Sequence, residues 1–267
     1  MDSGPVNPTM TNSVCIHCHQ ALEPRVLMVA GREFHFGFSE CECSGAIAER
    51  EEARKRQERE DLQAEFEARQ ARIAKMFEGS MMGERFRRRR FETFEADTPE
   101  KQTAYKTARA FCQRFAKDPN TRGLFICGKV GTGKTHLAAA IANKVLAEQM
   151  RPVIFGTAPR ILARIRQSYS GNETQTEWMV LDEICSVPLL IIDDIGKEYA
   201  KKANGWSWTQ EKTFEIINRR YEDLKPIIFT SNASLEEIAE RLDPAIASRI
   251  KEMCKGIHCN WEDYRSR

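Results

Sequence analysis

Short runs of consecutive apolar residues alternate with longer segments of mixed polarity over the C-terminal half of the chain. The runs span residues 124–127, 152–156, 187–194 and 226–232, and the last two end in polar side chains. Apolar runs of this length, bounded by polar residues, are typical of strands buried on both faces, which occur mainly in parallel sheets. Each run therefore predicts one strand of a parallel sheet.

Segments with apolar residues three or four positions apart lie around these runs. Residues 136–146 are rich in Ala and Leu, and Phe214, Ile217, Tyr221 and Leu224 share one face of a helix over 210–224. Thr98 and Pro99 form a helix start, and further helices are predicted over 98–116, 160–169, 181–185, 235–241 and 244–253. The alternation predicts an α/β fold, a parallel sheet flanked by helices.

The N-terminal third of the chain has a different pattern. Residues 1–12 are small and polar, which predicts a mobile tail, and residues 25–29 and 33–36 predict two short strands around a turn. Residues 46–78 contain many strong helix formers and predict one long helix, or two with a joint. Its apolar stripe either packs on the chain's own domain or binds a partner's helix; it consists of Leu62, Phe66, Ile73 and Phe77.

Composition limits the class of protein. A chain of 267 residues can form one α/β domain of ordinary size and a smaller appendage. A formal net charge of +2 gives no strong overall field, so a nucleic-acid site must be a local patch. The apolar stretches are far shorter than the ~18 residues that span a bilayer, and no secretory signal opens the chain. We expect a soluble cytoplasmic protein without a membrane partner.

Four of the nine cysteines form two close pairs, Cys15 with Cys18 and Cys41 with Cys43. An odd cysteine count without a secretory signal favours reduced thiols over disulfides. The spacing predicts a structural Zn²⁺ site, because so short a segment gains too little stability from burial alone. His19 or His35 could replace one thiolate. The alternative is that the cysteines are close only in sequence.

Residues 128–135 read Gly-Lys-Val-Gly-Thr-Gly-Lys-Thr and match G-x-x-x-x-G-K-[ST], the loop that binds nucleotide phosphates. The loop lies between a predicted strand and a predicted helix, which is the order such a site requires. Its glycines let main-chain N–H groups face the phosphates, Lys134 can reach the β- and γ-phosphates, and Thr135 can bind Mg²⁺. The predicted nucleotide-binding residues are Gly128, Gly131, Thr132, Gly133, Lys134, Thr135, His136 and Asp193.

Two carboxylates end the strand predicted over residues 187–194. Asp193 is expected in the Mg²⁺ shell and Asp194 where a general base orients the attacking water. Asn232 ends the next strand and can sense the γ-phosphate. Arg249, on the helix predicted over 244–253, is a candidate finger for a neighbouring subunit's γ-phosphate, and its alternative is a surface charge. Lys134, Asp194, Asn232 and Arg249 are the candidate catalytic residues.

Two basic segments are candidates for binding nucleic acid. Five arginines flanked by phenylalanines lie within residues 84–91. They could bind phosphates, either of a nucleic acid or near the bound nucleotide, although such a run is more often a solvated linker, which is the preferred interpretation. Residues 195–208 interleave basic and aromatic side chains, which suits single-stranded nucleic acid, and a surface insertion is the alternative. The candidate contacts are Lys197, Tyr199, Lys201 and Lys202.

From about residue 86 to the C-terminus the chain resembles the AAA+ helicase-loader family of bacterial DnaC and DnaI proteins. The resemblance rests on the phosphate loop and on Ile-Ile-Asp-Asp-Ile-Gly at 191–196, Phe-Thr-Ser-Asn at 229–232, Ala-Ser-Arg-Ile at 247–250 and Asn-Trp-Glu-Asp-Tyr-Arg at 260–265. The cysteine module with the long helix resembles the helicase-binding N-terminal region of the DnaI type. The implied division is a zinc-binding module over 1–45, a charged helical segment over 46–83 and an AAA+ domain over 84–267.

The resemblance implies roles for individual residues. Lys134 and Thr135 match the Walker A ligands of ATP and Mg²⁺, and Asp193 and Asp194 match the Walker B pair. Asn232 matches the first sensor, and Arg249 matches the arginine finger. Asp194 stands where Glu is common, which implies ATP hydrolysis that is slow or dependent on a partner.

The resemblance also implies a function. A loader binds the hexameric replicative helicase through its N-terminal region, assembles with ATP into a ring or spiral, and delivers the helicase to single-stranded DNA at replication initiation. One alternative is a transposition helper ATPase of the IstB type, which binds duplex DNA. Another is an adaptor gated by ATP without significant turnover.

Overall fold

A computed structural model of the chain describes residues 13–169, 176–196 and 206–264. Contacts within the chain divide it into two units, Met1–Gln70 and Ala71–Arg267, and the boundary falls inside the long helix α1, Ser44–Gly79. The residues predicted as a mobile tail, 1–12, lie outside the described part. Within the described ranges, no helix is both long and apolar enough to cross a membrane.

The N-terminal unit contains an antiparallel hairpin and the first part of α1. Strands β1 (Pro24–Val29) and β2 (Arg32–Phe38) pair with Val29 opposite Arg32. The connecting residues Ala30 and Gly31 both have positive φ, 51° and 77°, as a tight two-residue hairpin turn requires. The predicted pair of strands is confirmed, and the long charged segment forms one continuous helix.

The second unit is built on a five-stranded parallel sheet with the order β4–β5–β6–β3–β7. Each apolar run of the sequence supplies one of its strands. They are β3 (Gly123–Gly128), β4 (Val153–Thr157), β5 (Leu189–Asp193) and β6 (Ile227–Ser231), and the fifth is β7 (Cys254–Cys259). The predicted parallel α/β fold is therefore confirmed.

Helices cover both faces of this sheet and form two separate cores. One core joins the sheet to α3 (Pro99–Lys117) and α4 (Lys134–Glu148). The other joins it to α5 (Ala158–Gln167), α6 (Glu177–Ser186), α7 (Trp208–Glu222), α8 (Leu235–Arg241) and α9 (Pro244–Met253). A short helix, α2 (Glu84–Arg87), and a 3₁₀ turn, Phe91–Thr93, precede α3.

The structure differs from the sequence expectations at two elements. Strand β7 was not predicted, because its six residues alternate buried Cys254, Ile257 and Cys259 with exposed polar positions rather than forming an apolar run. Helix α6 has ten residues, Glu177–Ser186, where one turn was expected, because Thr176 caps it by accepting a hydrogen bond from the main-chain N–H of Met179.

Candidate functional site

The phosphate loop joins the carboxyl end of β3 to the N-terminus of α4. Its three glycines all have positive φ, at 137° for Gly128, 77° for Gly131 and 87° for Gly133. Close neighbours add a second reason for glycine: a Cβ on Gly128 would lie 2.1 Å from the Cys259 carbonyl oxygen, and one on Gly131 would lie 1.7 Å from the Asp263 carboxylate. The loop therefore has the backbone that turns N–H groups inward toward an anion.

Lys134 starts α4 and is buried, with its amine folded back on the loop. Nζ donates to the carbonyl oxygens of Gly128 at 2.9 Å and Lys129 at 2.6 Å. Burial lowers the pKa of Lys134, although the carboxylates of Asp194 and Asp193 oppose that change. A polyanionic ligand in the loop would offset the loss of water around this ammonium group.

Asp193 lies at the end of β5, where two hydroxyl groups donate to one of its oxygens. Thr135 Oγ1 is 2.8 Å and Thr230 Oγ1 is 2.6 Å from Asp193 Oδ1. The structure thus joins Thr135 and Asp193, which the sequence assigned to Mg²⁺, and their hard oxygen atoms are the donors that this ion prefers. Thr230 was missed, although its place in the Phe-Thr-Ser-Asn run at a strand end was a usable signal.

Asp194 has a different environment from Asp193. Its φ of 61° lies in the left-handed region, and its N–H donates to Thr230 Oγ1 at 2.8 Å. Asn232 Nδ2 donates to Asp194 Oδ1 at 3.0 Å. The predicted base and the predicted sensor are therefore in direct contact at the carboxyl ends of adjacent strands, β5 and β6.

These groups line a cavity of about 540 Å³, a volume suited to a nucleotide. The cavity is also lined by two members of the arginine run, Arg85 and Arg89, and by residues that the sequence motifs did not single out for the site: Thr93, Phe94, Glu95, Lys101, Trp261 and Tyr264. Arg85 and Arg89 face the cavity, which favours the alternative that part of the arginine run lies near a bound nucleotide. Asn143 of α4 causes this placement, since its side-chain amide donates to the carbonyl oxygens of Phe86 and Arg89.

His136 holds the following segment against the same helix. Its Nε2 lies 2.8 Å from the Arg90 carbonyl oxygen and 3.2 Å from Thr93 Oγ1, and its ring meets the Phe94 ring edge to face. Burial lowers the pKa of His136. His136 therefore positions a wall of the cavity as a neutral imidazole near pH 7.

Comparison with known proteins agrees with this geometry. The family model described as "Bacterial DnaA ATPAse domain" matches residues 86–258, which is more than half of the chain. The chain belongs to the bacterial DnaA ATPase domain family of AAA+ proteins. The chain therefore contains an ATPase domain that binds ATP. The predicted AAA+ fold is confirmed.

The replicative helicase loader DnaC of Escherichia coli K12 is 29% identical to this AAA+ chain over 180 residues, covering 66% of the chain and 69% of that protein. A crystal structure of the DnaC helicase loader superposes with a TM-score of 0.58 at 26% identity, covering 67% of this chain and all of the other. A crystal structure of DnaI shares the fold, with a TM-score of 0.54 at 24% identity over 68% of this chain and 94% of that one. The resemblance to loaders of the DnaC and DnaI type is thereby confirmed.

Arg249 of the AAA+ domain does not line its own cavity. The guanidinium lies over the rings of Phe214 and Tyr221, 4.6 and 5.7 Å from their centroids, and Nε donates to Asn218 Oδ1 at 2.8 Å. All three partners belong to α7. The candidate finger is therefore held on the surface of its own subunit, apart from the other candidate catalytic residues.

The candidate nucleic-acid contacts Lys197, Tyr199, Lys201 and Lys202 lie outside the described residues. The structure does describe Trp206 and Trp208, which follow them. Trp206 is partly exposed, packs on Phe214 and donates from Nε1 to Asp243 Oδ2 at 3.0 Å. Trp208 carries the guanidinium of Arg166 over its ring. Both indole rings therefore pack on other side chains of the AAA+ domain.

The four N-terminal cysteines lie together in the other unit. The sulfur atoms of Cys15, Cys18, Cys41 and Cys43 are all within 4.8 Å of one another, with 3.8 Å between Cys15 and Cys43 and 3.4 Å between Cys18 and Cys41. Sulfur atoms of a tetrahedral zinc site lie roughly 3.8 Å apart, so the cluster fits Zn²⁺. Among the described residues, neither His19 nor His35 belongs to the cluster.

Contacts within the cluster shift the pKa values of two of its cysteines in opposite directions. Hydrogen bonds from the main chain at Cys18 and His17 lower the pKa of Cys15 to about 6, which favours the thiolate that binds metal. The main chain at Cys43 lowers the pKa of Cys41, but the neighbouring thiols and burial outweigh it and raise that pKa to about 12. Four thiolates would leave no open position, as in structural zinc sites.

Proposed function

We propose that this chain is an ATP-dependent loader that delivers the hexameric replicative DNA helicase to single-stranded DNA. The observation that carries the proposal is the contact between Asp194 and Asn232 beside the Thr135 and Asp193 pair, in a chain related to a replicative helicase loader. In this proposal the arrangement acts as a nucleotide switch, in which Asn232 is the sensor and contacts Asp194, the general base. A loader needs such a switch to hold the helicase in one nucleotide state and release it in another.

The roles of the cavity residues follow from their positions. The inward N–H groups of residues 131–133 and the ammonium of Lys134 bind the phosphates, and Thr135 with Asp193 would hold Mg²⁺. A bound Mg²⁺ would supply positive charge to offset the negative charge that develops as the γ-phosphate leaves. Asp194 orients the attacking water and accepts its proton, while Asn232 fixes the carboxylate. Because an Asp reaches less far than a Glu, hydrolysis is slow unless a partner adjusts the site.

The N-terminal region is the proposed helicase-binding part. It consists of the zinc-binding module over 1–45 and the helical segment over 46–83, and the ATPase domain over 84–267 follows it in the sequence. Its unit presents exposed apolar side chains that a partner could cover. Met28 and Phe36 on the hairpin are 64% and 65% exposed, and Leu62 and Phe66 of α1 are 67% and 57% exposed. Large apolar side chains this exposed favour a protein partner.

DNA contact is assigned to Lys197, Tyr199, Lys201 and Lys202, whose segment leads directly into Trp206. Basic and aromatic side chains in one segment suit unpaired bases and their phosphates. We assign assembly to Arg249. Its side chain would break or rearrange its contacts with α7 and then reach the γ-phosphate in the site of a neighbouring subunit.

The test reconstitutes loading with the purified chain, its cell's replicative helicase and a single-stranded DNA circle. We expect helicase on the circle when the chain and ATP are both present, and little or none when the chain is omitted or ADP replaces ATP. The Lys134→Ala variant provides the matched control. Helicase that does not bind the chain contradicts the proposal; binding to duplex DNA without helicase indicates a transposition helper, and loading without any ATP turnover indicates an adaptor gated by ATP.

A further inference from the structure

The C-terminal residues 260–264, which follow β7, pack against the phosphate loop. Trp261 Nε1 donates to the carbonyl oxygen of Thr132 at 2.9 Å, and the main-chain N–H of Tyr264 donates to the carbonyl oxygen of Gly131 at 3.1 Å. The Asp263 carboxylate lies where a side chain of Gly131 would be. We call residues 260–264 the tail clamp. Its contacts span more than a hundred positions of sequence.

The two hydrogen bonds of the tail clamp fall on consecutive peptide groups of the loop. In a planar trans peptide, the carbonyl oxygen and the N–H of the next residue point in opposite directions. A carbonyl of Gly131 held by the tail therefore turns the N–H of Thr132 away from the tail, and a carbonyl of Thr132 held by Trp261 does the same for the N–H of Gly133. These N–H groups belong to the nest that receives phosphate oxygens.

The tail clamp is also tied to the opposite wall of the cavity. Tyr264 Oη donates to Glu95 Oε1 at 2.8 Å, and the side chains of Trp261, Tyr264 and Glu95 all line the cavity. On the inner side of the tail, the N–H of Lys129 donates to the Cys259 carbonyl oxygen at 3.1 Å, where β7 ends. The loop is thus held from its first residues to Thr132 by one C-terminal segment.

We propose that Trp261 and the main-chain N–H of Tyr264 are positioning groups that hold the phosphate loop in its nucleotide-binding conformation. A loop without them must turn two peptide groups toward the phosphates when ATP binds, and the cost of this ordering lowers affinity. The inference rests on the proposed ATP dependence of the chain. It adds that the affinity for nucleotide is set from the C-terminal tail.

The test uses variants that remove one donor at a time. Trp261→Phe removes the indole N–H and retains an aromatic ring. Tyr264→Pro removes the main-chain N–H, and Tyr264→Ala is its matched control because it removes the ring but keeps that N–H. Trp178→Phe, on an exposed position of α6, controls for loss of a tryptophan. Affinities for ADP and for a non-hydrolysable ATP analogue are measured by calorimetry, and the melting temperature is measured without nucleotide.

We expect Trp261→Phe to weaken the binding of both nucleotides about 3- to 10-fold, the effect of one hydrogen bond. The melting temperature without nucleotide should fall by a few degrees at most, because the same hydrogen bond is present before nucleotide binds. Tyr264→Pro should bind more weakly than Tyr264→Ala by a similar factor. Trp261→Phe that binds as the unchanged chain does, or equal binding by Tyr264→Pro and Tyr264→Ala, overturns the tail clamp. Neither of these outcomes bears on the proposal that the chain loads a helicase. An unchanged chain that binds no nucleotide contradicts the proposed function and the tail clamp together.

Discussion

Asp193 and Asp194 are adjacent in sequence but have different backbones and partners. Asp193 ends a buried strand and receives two hydroxyl groups, so its carboxylate is fixed inside the domain. Asp194 adopts a left-handed φ of 61°, a conformation that Asp and Asn tolerate better than other residues with a side chain. With this backbone the Asp194 carboxylate accepts a hydrogen bond from Asn232, whereas Asp193 accepts the one from Thr135.

Asp194→Asn is therefore expected to retain ATP binding while ATP turnover falls about 10²- to 10⁴-fold, the usual contribution of a general base. The amide tolerates the same φ and can keep a hydrogen bond with Asn232, so the loop and the Mg²⁺ ligands remain. Binding is measured with a non-hydrolysable analogue and turnover by phosphate release. A matching loss of analogue affinity would instead place Asp194 among the metal ligands.

The half-buried imidazole of His136 predicts a pH dependence of stability. Its pKa is lowered from 6.5 by burial, so as pH falls below about 6.5 the unfolded chain takes up a proton before the folded chain does. The folded state then loses stability, and the loss ends below the pKa of the folded state. His136→Asn should show a smaller fall in melting temperature between about pH 7.5 and about pH 5.5.

Tryptophan fluorescence isolates this effect, because all four tryptophans lie within Ala71–Arg267. His35→Asn, an exposed residue of the other unit, serves as the control and should behave as the unchanged chain does. Parallel pH profiles for His136→Asn and the unchanged chain would show that another group carries the dependence.

At the level of elements, Arg220 joins a helix to two strands of the ATPase sheet. It is fully buried in α7, and its guanidinium donates to five carbonyl oxygens, those of Ile184, Cys185, Val187, Pro188 and Pro226. These carbonyls end α6 and precede β5 and β6. Arg220 therefore satisfies the polar backbone where three elements converge, just before the strands that carry Asp193 and Asn232.

Replacement of Arg220 by Met should cost the ATPase unit about 3 kcal/mol or more, because several buried carbonyls lose their donor. The adjacent Arg219 is a matched control: it lies on the surface beside Asp182, and Arg219→Met should cost less than about 1 kcal/mol. Urea unfolding followed by tryptophan fluorescence measures both. Equal stabilities of the two variants would show that water replaces the buried guanidinium.

Metal removal tests the cysteine module as an element of its own. We expect one Zn²⁺ per chain, bound by Cys15, Cys18, Cys41 and Cys43, and a loss of helical circular dichroism in chelator because the start of α1 contacts the cluster through Ala46 and Arg50. The tryptophan melting curve of the ATPase unit should not move. A chain without zinc under reducing conditions would leave the cluster as free thiols.

Patterns within a few neighbouring residues of the sequence predicted the strands and helices whose positions depend on burial and helix capping. Strands β3 to β6 are continuous apolar runs because both faces are buried, and α3 and α9 begin at the caps Thr98 and Asp243. The candidate residues from Lys134 to Asn232 could be brought together because parallel strands present their carboxyl ends at one edge. Trp261 and Tyr264 were not assigned to the site, since contacts with loops far away in sequence place them in the cavity, and Arg85 was assigned to it only as one alternative.

For the whole molecule, the position of Arg249 bears on the proposed assembly. Held on α7 by Phe214, Asn218 and Tyr221, it lies outside its own cavity, so it can serve catalysis only at the site of a neighbouring subunit. Such head-to-tail contacts generate rings or open spirals, and a finger that meets the γ-phosphate makes them depend on ATP. ATP should therefore favour oligomers more than ADP does.

Arg249→Ala is expected to bind ATP as a monomer but to lose ATP-dependent oligomers and turnover together, as measured by sedimentation and phosphate release. Arg241→Ala, which removes an exposed arginine paired within α8, is the control and should assemble normally. Mixing Arg249→Ala with Lys134→Ala gives the stronger test. In an equal mixture, about a quarter of head-to-tail junctions combine an intact loop with an intact finger, so turnover should recover in part. Unaltered sedimentation of Arg249→Ala in ATP, with no recovery in the mixture, would reduce Arg249 to a surface charge and leave assembly to other contacts.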